Sequence, residues 1–211
     1  MTLKYIILGA FLNVKESAAE CDSKVVIVFD ISGSMGGERL AKAKNALKDW
    51  IEYSVPKGTE IGLVPFESTA QVSKGFALTK LDSSTLNMMK SKIDALTAGG
   101  GTCIGAGFQA AIQQSTLFNN QVGGTILLIG DGTNGCSSPS LATVRSWCLS
   151  KRKTVFALNV GLSLDSGIKS ITDATKGKIF DMPDEMNQDD FNGILKEICN
   201  DECEKGKLPT L

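Results

Sequence analysis

Five side chains of this sequence carry oxygen atoms at spacings that could bind a metal ion. They lie in three separate segments and are Asp30, Ser32, Ser34, Thr102 and Asp131. The first three alternate along Asp-Ile-Ser-Gly-Ser, which lets one carboxylate and two hydroxyls face one pocket, and Gly33 allows a tight turn there. Carboxylate and hydroxyl oxygens are hard donors that suit Mg²⁺, with Mn²⁺ or Ca²⁺ as alternatives. We therefore predict a divalent-metal site built from these residues.

Two predicted strands must bring the aspartates of this site together. The segments Lys24 to Asp30 and Thr125 to Ile129 are almost continuously apolar, as expected of parallel strands covered on both faces. In an open parallel sheet, ligands bind beyond the carboxyl ends of the strands, at the point where the strand order reverses. Asp30 and Asp131 both stand at such a strand end. Two converging carboxylates are costly unless a cation or another partner offsets their charge.

The rest of the chain alternates predicted helices with predicted strands. Apolar residues at helical spacing predict helices over residues 39–53, 84–96, 104–117, 141–151, 166–175 and 189–198. Short apolar runs predict further strands over 60–66, 70–73, 154–160 and 178–181. This alternation predicts an α/β fold: a doubly wound, Rossmann-like, mostly parallel six-stranded sheet with helices on both faces.

The chain of 211 residues is predicted to hold one domain, over residues 20–203, followed by an unstructured tail over 204–211. Residues 1–19 are predicted to be a secretory signal peptide. Lys4 precedes an apolar run from Tyr5 to Leu12, and Ser17 and Ala19 are small residues at plausible cleavage positions. An amphipathic helix packed beside the domain is the alternative. No later segment is apolar for long enough to predict a membrane span.

Composition excludes several classes of function. The chain has no histidine, which rules out Ser-His and Cys-His nucleophile pairs and zinc sites that need imidazole. Its formal net charge of -1 gives no reason to expect a nucleic-acid partner. Six cysteines favour a secreted or extracellular location, and inert thiols in a cytosolic protein are the alternative. Because domain termini are often close together, Cys21 is expected to pair with Cys199 or Cys203.

The predicted metal site resembles the metal-ion-dependent adhesion site of von Willebrand factor A domains, which integrin I domains share. All five residues are present in the right order, with Thr102 after a glycine run and Asp131 before a glycine, and the resemblance covers residues 24–198. In that family the serines and the threonine ligate the metal, and the aspartates hold it directly or through water. The resemblance implies a metal-dependent protein-binding or adhesion module, without catalysis, that presents the cation to an Asp or Glu of a partner protein. The loops 35–38, 67–75 and 133–140 would set the choice of partner.

Within this family, the sequence resembles the A domain of calcium-activated chloride channel regulators. The likeness rests on Gly36-Gly-Glu-Arg-Leu40, on Gly101-Thr-Cys-Ile-Gly105 and on Gly135-Cys136 shortly after Asp131. It implies a disulfide between Cys103 and Cys136, one on each metal loop, with Cys136–Cys148 as the alternative. Those proteins also carry a histidine-dependent metalloprotease domain, which this histidine-free chain cannot contain.

Three other interpretations fit parts of the pattern. The segment Gly130–Gly135 matches a dinucleotide-binding motif, although Asp131 would then face the pyrophosphate. The same segment resembles a metal loop of haloacid-dehalogenase-like phosphatases, in which Asp30 would be a nucleophile. Those enzymes need a second acid where Ser32 stands here. The third interpretation is a structural scaffold whose metal site recognises no ligand.

Overall fold

Six strands form a single sheet at the centre of the computed structural model, which describes residues 24–113, 120, 123–132, 134–161 and 164–182. The strands are β1 (Lys24–Asp30), β2 (Glu60–Phe66), β3 (Phe76–Lys80), β4 (Thr125–Gly130), β5 (Thr154–Asn159) and β6 (Ile179–Asp181). The helices in the described residues are α1 (Glu38–Asp49), α2 (Leu86–Asp94), α3 (Ile104–Gln113), α4 (Leu141–Ser150) and α5 (Ser166–Ala174).

The strand order confirms the predicted doubly wound sheet. The strands lie in the order β3-β2-β1-β4-β5-β6. All neighbouring pairs are parallel except β2 and β3, which are antiparallel. The order reverses between β1 and β4, and the crevice beyond their carboxyl ends is where such sheets bind ligands.

Hydrophobic side chains cover both faces of the sheet. Val25, Ile27 and Phe29 of β1 pack into one buried cluster with residues of α1 and α2. Val26 and Val28 pack into a second cluster with residues of α3, α4 and α5. Because successive side chains of a strand point to opposite faces, both sets must be apolar. This explains the continuous apolar run of β1, and it confirms the prediction of helices on both faces.

The predicted third strand at residues 70–73 is wrong. Ala70 forms one antiparallel bridge to Phe66, and Val72–Lys74 is a 3-10 turn. The N–H of Gln71 donates to the carbonyl oxygen of Pro65 at 2.7 Å, so the chain is still turning at this point. The strand follows at Phe76–Lys80, where the backbone first runs alongside β2.

The predicted helix at residues 39–53 changes its winding near its end. The α-helix ends at Asp49, and Trp50–Ser54 forms a π-helical turn. Trp50 and Ile51 are both fully buried, and the wider turn lets these adjacent bulky side chains reach the core. The apolar spacing continues through this turn, so it could not reveal the change of winding.

Several predictions concern residues outside the described part of the chain. These are the signal peptide at 1–19, the end of the helix predicted over 104–117, the helix at 189–198 and the tail at 204–211. The limits of the domain at 20 and 203 stay predictions for the same reason. Within the described residues, no helix has the length and hydrophobicity needed to cross a bilayer.

Candidate metal centre

Asp30 and Asp131 lie at the carboxyl ends of two adjacent strands. Asp30 is the last residue of β1, Asp131 follows β4 directly, and the two strands pair in parallel. Both residues are buried. The glycine at position 130 leaves room for the Asp30 side chain, because a Cβ atom at that position would lie only 3.1 Å from the Cβ of Asp30. The sheet therefore brings two carboxylates together away from water, as the sequence predicts.

Hydrogen bonds connect the two aspartates through the serines of the first loop. The backbone N–H of Ser32 donates to Oδ1 of Asp30 at 2.7 Å. The hydroxyls of Ser32 and Ser34 lie 3.1 Å apart, and the Ser34 hydroxyl donates to Oδ1 of Asp131 at 2.8 Å. Gly33–Met35 forms a 3-10 turn, which brings these hydroxyls together. Four of the five predicted ligands thus form one polar group.

The carboxylate of Asp30 has an unsatisfied oxygen. Its Oδ2 atom is buried and has no hydrogen-bond partner among the described residues. Burial raises the pKa of Asp30 to about 6, the hydrogen bonds from Ser32 and the nearby backbone N–H of Asp131 oppose this rise, and the charge of Asp131 adds to it. A buried carboxylate oxygen without a donor is costly. A divalent cation would satisfy this oxygen and favour the ionised form, so the donor set fits a metal of the Mg²⁺ class.

The glycine run that precedes Thr102 lies against the Asp-x-Ser-x-Ser loop. The N–H of Gly33 donates to the carbonyl oxygen of Gly100 at 3.1 Å, and the N–H of Gly99 donates to that of Ile31 at 2.9 Å. Thr102 follows this glycine run, so the same bonds hold its segment against the loop. Thr102 is half-buried, and its hydroxyl forms no hydrogen bond with any residue that the structure describes. Its role as a ligand therefore stays a prediction.

A disulfide joins the Thr102 loop to the Asp131 loop. Cys103 and Cys136 are bonded, with their Cα atoms 5.1 Å apart, and the N–H of Gly135 donates to the carbonyl oxygen of Thr102 at 2.7 Å. The pairing implied by the family resemblance is confirmed. Cys148 is a buried free thiol, so the Cys136–Cys148 alternative is wrong. The expected pairing of Cys21 lies outside the described residues.

Asn134 supports the same junction, a role that sequence analysis did not predict. Its Oδ1 atom accepts the N–H of Ile104 at 2.9 Å, and its Nδ2 group donates to the carbonyl oxygen of Cys136 at 2.6 Å. Its own N–H donates to Asp165, which caps α5. Asn134 thus satisfies a free N–H at the start of α3 from 30 residues away in the sequence. A cap that is so distant leaves no local sequence signal.

Arg39 is a second residue that sequence reasoning did not place at the site. Its Nη1 group donates to Oδ2 of Asp131 at 3.0 Å and to the carbonyl oxygen of Ser34 at 3.2 Å. The Arg39 side chain is 43% exposed, whereas that of Asp131 is 1% exposed. Arg39 lies in the first turn of α1, directly after the Asp-x-Ser-x-Ser loop. That position was the available signal, because a long side chain there can reach back to the loop.

Comparison with known sequences identifies the class of domain. A family model described as the von Willebrand factor type A domain matches residues 24–194. The human protein named calcium-activated chloride channel regulator 4 is 28% identical over 173 residues, which cover 81% of this chain and 18% of that protein. Mouse calcium-activated chloride channel regulator 3A-1 is 31% identical over 166 residues, which cover 77% of this chain and 18% of that protein. The chain therefore spans about a fifth of the length of these relatives.

Solved structures show the same fold. A von Willebrand factor type A protein from Catenulispora acidiphila has a TM-score of 0.70 at 21% identity, covering 86% of this chain and 43% of that one. The mussel byssus proximal thread matrix protein 1, described with a zinc-occupied MIDAS motif, has a TM-score of 0.69 at 22% identity. That match covers 85% of this chain and 47% of the mussel chain. At these identities the likeness concerns the fold.

Proposed function

Because this chain belongs to the von Willebrand factor type A family, we propose that it is a metal-dependent protein-binding module rather than an enzyme. The proposed ligands of the cation are Asp30, Ser32, Ser34, Thr102 and Asp131. Mg²⁺ is the expected ion, with Mn²⁺ or Ca²⁺ as alternatives. The observation that carries the proposal is the buried Oδ2 atom of Asp30, which lacks a hydrogen-bond donor among the described residues.

Each residue of the site has a defined task in this proposal. Asp30 offers its unsatisfied oxygen, and Ser32 fixes the other oxygen of that carboxylate through a 2.7 Å hydrogen bond. The hydroxyls of Ser32 and Ser34 can rotate to turn their lone pairs towards a cation. Ser34 also holds Asp131 in place at 2.8 Å. When bound, the cation would supply an electrophilic position for an Asp or Glu carboxylate of a partner protein.

The residue types argue against the phosphotransferase alternative. That chemistry needs an acid two residues after Asp30, where this chain has Ser32. The hydroxyl of Ser32 lies 3.1 Å from that of Ser34, and this arrangement fits a role for both as metal ligands. A serine hydroxyl cannot replace a carboxylic acid in proton transfer. We therefore propose binding without bond breakage.

We also propose that the domain works in an oxidising compartment, secreted or extracellular. The Cys103–Cys136 disulfide supports this, because such bonds persist where thiols are not kept reduced. The chloride channel regulators that it resembles are several times longer, and the chain matches only 18% of their length. Their activities as whole proteins are not part of the proposal.

A small carboxylate can replace the unidentified partner in a test. The protein is loaded with Mn²⁺, and the Mn²⁺-dependent relaxation of water protons is followed while acetate or acetamide is added. We expect acetate to lower the relaxation enhancement, because it competes with water for the cation, and we expect the neutral isostere acetamide to have little effect. Saturable Mn²⁺ binding with no response to acetate would contradict the proposal and favour the scaffold alternative.

A further inference from the structure

We propose that Arg39 tunes the metal centre for anionic partners: it strengthens the capture of a carboxylate and weakens the affinity for the cation itself. The proposal rests on the metal-dependent binding function above. It assigns a specificity-determining role to a residue outside the set of metal ligands.

The position of Arg39 links the buried site to solvent. Its Nη1 group contacts Oδ2 of Asp131 at 3.0 Å, and the Asp131 side chain is almost fully buried. The Arg39 side chain is 43% exposed. Its Nε and Nη2 groups form no hydrogen bond with any of the residues that the structure describes. One corner of the group is therefore fixed on the site, while its remaining donors are available to a molecule that docks there.

The charges at the site explain how Arg39 could affect binding. Two ionised aspartates, Asp30 and Asp131, balance the charge of a divalent cation. Arg39 adds a positive charge in direct contact with Asp131, so these two aspartates, the cation and Arg39 together carry one positive charge in excess. The carboxylate of Glu67 lies beside Gly100 of the neighbouring loop and accepts a hydrogen bond from Gln71 at 2.9 Å rather than from Arg39. A partner's carboxylate would neutralise the excess charge, and a neutral group would not.

The geometry of Arg39 also suits a carboxylate. A guanidinium presents its N–H groups in a planar fork that matches the two oxygens of a carboxylate. Nη1 is occupied by Asp131 and by the carbonyl oxygen of Ser34. The free Nε and Nη2 donors form the other edge of the fork and can bond to an incoming carboxylate. Lysine in this position would retain the charge and lose the fork.

A purely structural role would predict a different pattern of effects. If Arg39 only tied α1 to the Asp131 loop, its removal would loosen the site and weaken both cation and carboxylate binding. If Arg39 acts through charge, its removal relieves repulsion on the cation and reduces attraction for the carboxylate. The two affinities should then move in opposite directions, which a loosened structure cannot produce.

The test compares Arg39→Gln, Arg39→Lys and the control Lys42→Gln. Glutamine retains a donor for Asp131 without the charge, and Lys42 lies on the same helix with a side chain that is also 43% exposed. Calorimetry gives the Mg²⁺ affinity of the full chain, and relaxation of the Mn²⁺-loaded protein gives the acetate affinity. Thermal unfolding without metal checks that each variant folds.

We expect Arg39→Gln to bind Mg²⁺ about three- to tenfold more tightly and acetate about three- to tenfold more weakly, the range for one charge at a partly exposed edge. Arg39→Lys should retain much of the wild-type cation affinity but hold acetate less well, and Lys42→Gln should match the wild type. Equal or parallel changes in the two affinities of Arg39→Gln would overturn the role of Arg39. Absence of Mg²⁺ or acetate binding in the wild type would instead overturn the proposed function itself, so the two failures are distinguishable.

Discussion

Gly33 and Gly100 are joined by a backbone hydrogen bond of 3.1 Å that fixes the glycine run against the Asp-x-Ser-x-Ser loop. Gly100 has a φ angle of +72°, a conformation that L side chains rarely adopt. A Cβ atom there would also overlap the carboxylate of Glu67, which Gln71 holds at 2.9 Å. Gly99 is different: it has no positive φ, and a Cβ atom would meet nothing within 4 Å. Position 100 of the glycine run therefore requires glycine, whereas position 99 can accept a side chain.

This contrast predicts different outcomes for two adjacent alanine substitutions. Gly100→Ala should lower the free energy of unfolding by about 1–3 kcal/mol, because it imposes a strained backbone. It should also weaken Mg²⁺ binding by displacing the loop that carries Thr102. Gly99→Ala should change neither quantity by much. Urea unfolding and calorimetry measure both, and equal effects of the two substitutions would contradict this account of the loop.

The Cys103–Cys136 disulfide is predicted to stabilise both the fold and the site. The bond spans 33 residues, and the chain-entropy model for a loop of this length gives about 3–4 kcal/mol. Replacing both cysteines by serine should lower the free energy of unfolding by roughly this amount and should weaken Mg²⁺ binding. The site should not collapse, since the Gly135–Thr102 hydrogen bond still joins the loops.

Reductant supplies the control for the disulfide prediction. Dithiothreitol should weaken Mg²⁺ binding by the wild type and should have little effect on the double-serine variant. A similar loss in both proteins would show that the effect comes from other cysteines.

Asp30→Asn should abolish metal binding and yet stabilise the metal-free protein. In the metal-free state, Oδ2 of Asp30 is buried without a donor among the described residues, and Asp131 places a second negative charge nearby. Asparagine removes the charge, which should raise the free energy of unfolding in EDTA near neutral pH by about 1–3 kcal/mol. Chemical denaturation in EDTA and in excess Mg²⁺ tests this, because Mg²⁺ should stabilise the wild type alone. A less stable variant in EDTA would contradict the account.

Cys148 should be unreactive in the folded protein. Burial raises the pKa of its thiol to about 12, with the charge of Lys153 opposing the rise. Because the pKa is raised, the thiolate, which is the reactive form, stays scarce until the pH approaches that value. Iodoacetamide at pH 8.5 should therefore spare Cys148 in the native protein and modify it after unfolding in urea. Peptide mapping by mass spectrometry identifies the site, and rapid native labelling would contradict the burial of this residue.

The sequence predicted those parts of the structure that depend on local pattern. The apolar runs of β1 and β4 predicted strands that are buried on both faces. Their ends then predicted that Asp30 and Asp131 lie beside each other. The third strand was misplaced because the segment after Glu67 folds back on Phe66 and Pro65, contacts that apolar spacing does not encode.

The contributions of Arg39 and Asn134 also depend on contacts that a sequence pattern does not display. Arg39 reaches Asp131 across 92 positions of the sequence, and Asn134 caps a helix across 30. The position of Arg39 shortly after the Asp-x-Ser-x-Ser loop was compatible with a contact there, but its partner Asp131 and the cap from Asn134 become evident only in the folded structure. The metal ligands could be predicted because each one stands at the end of a strand or beside a glycine turn.

The proposed function depends on the binding of one divalent cation by Asp30, Ser32, Ser34, Thr102 and Asp131. The most direct test is calorimetric titration of Mg²⁺ into the wild type, Asp131→Ala and the control Asp173→Ala. Asp173 is an aspartate on α5 with a 63% exposed side chain, and it forms an ion pair with Lys169 rather than with a residue of the site. We predict saturable binding at one site in the wild type and the control, and none in a folded Asp131→Ala. Binding that survives in Asp131→Ala, or a folded wild type that binds no Mg²⁺, would contradict the claim.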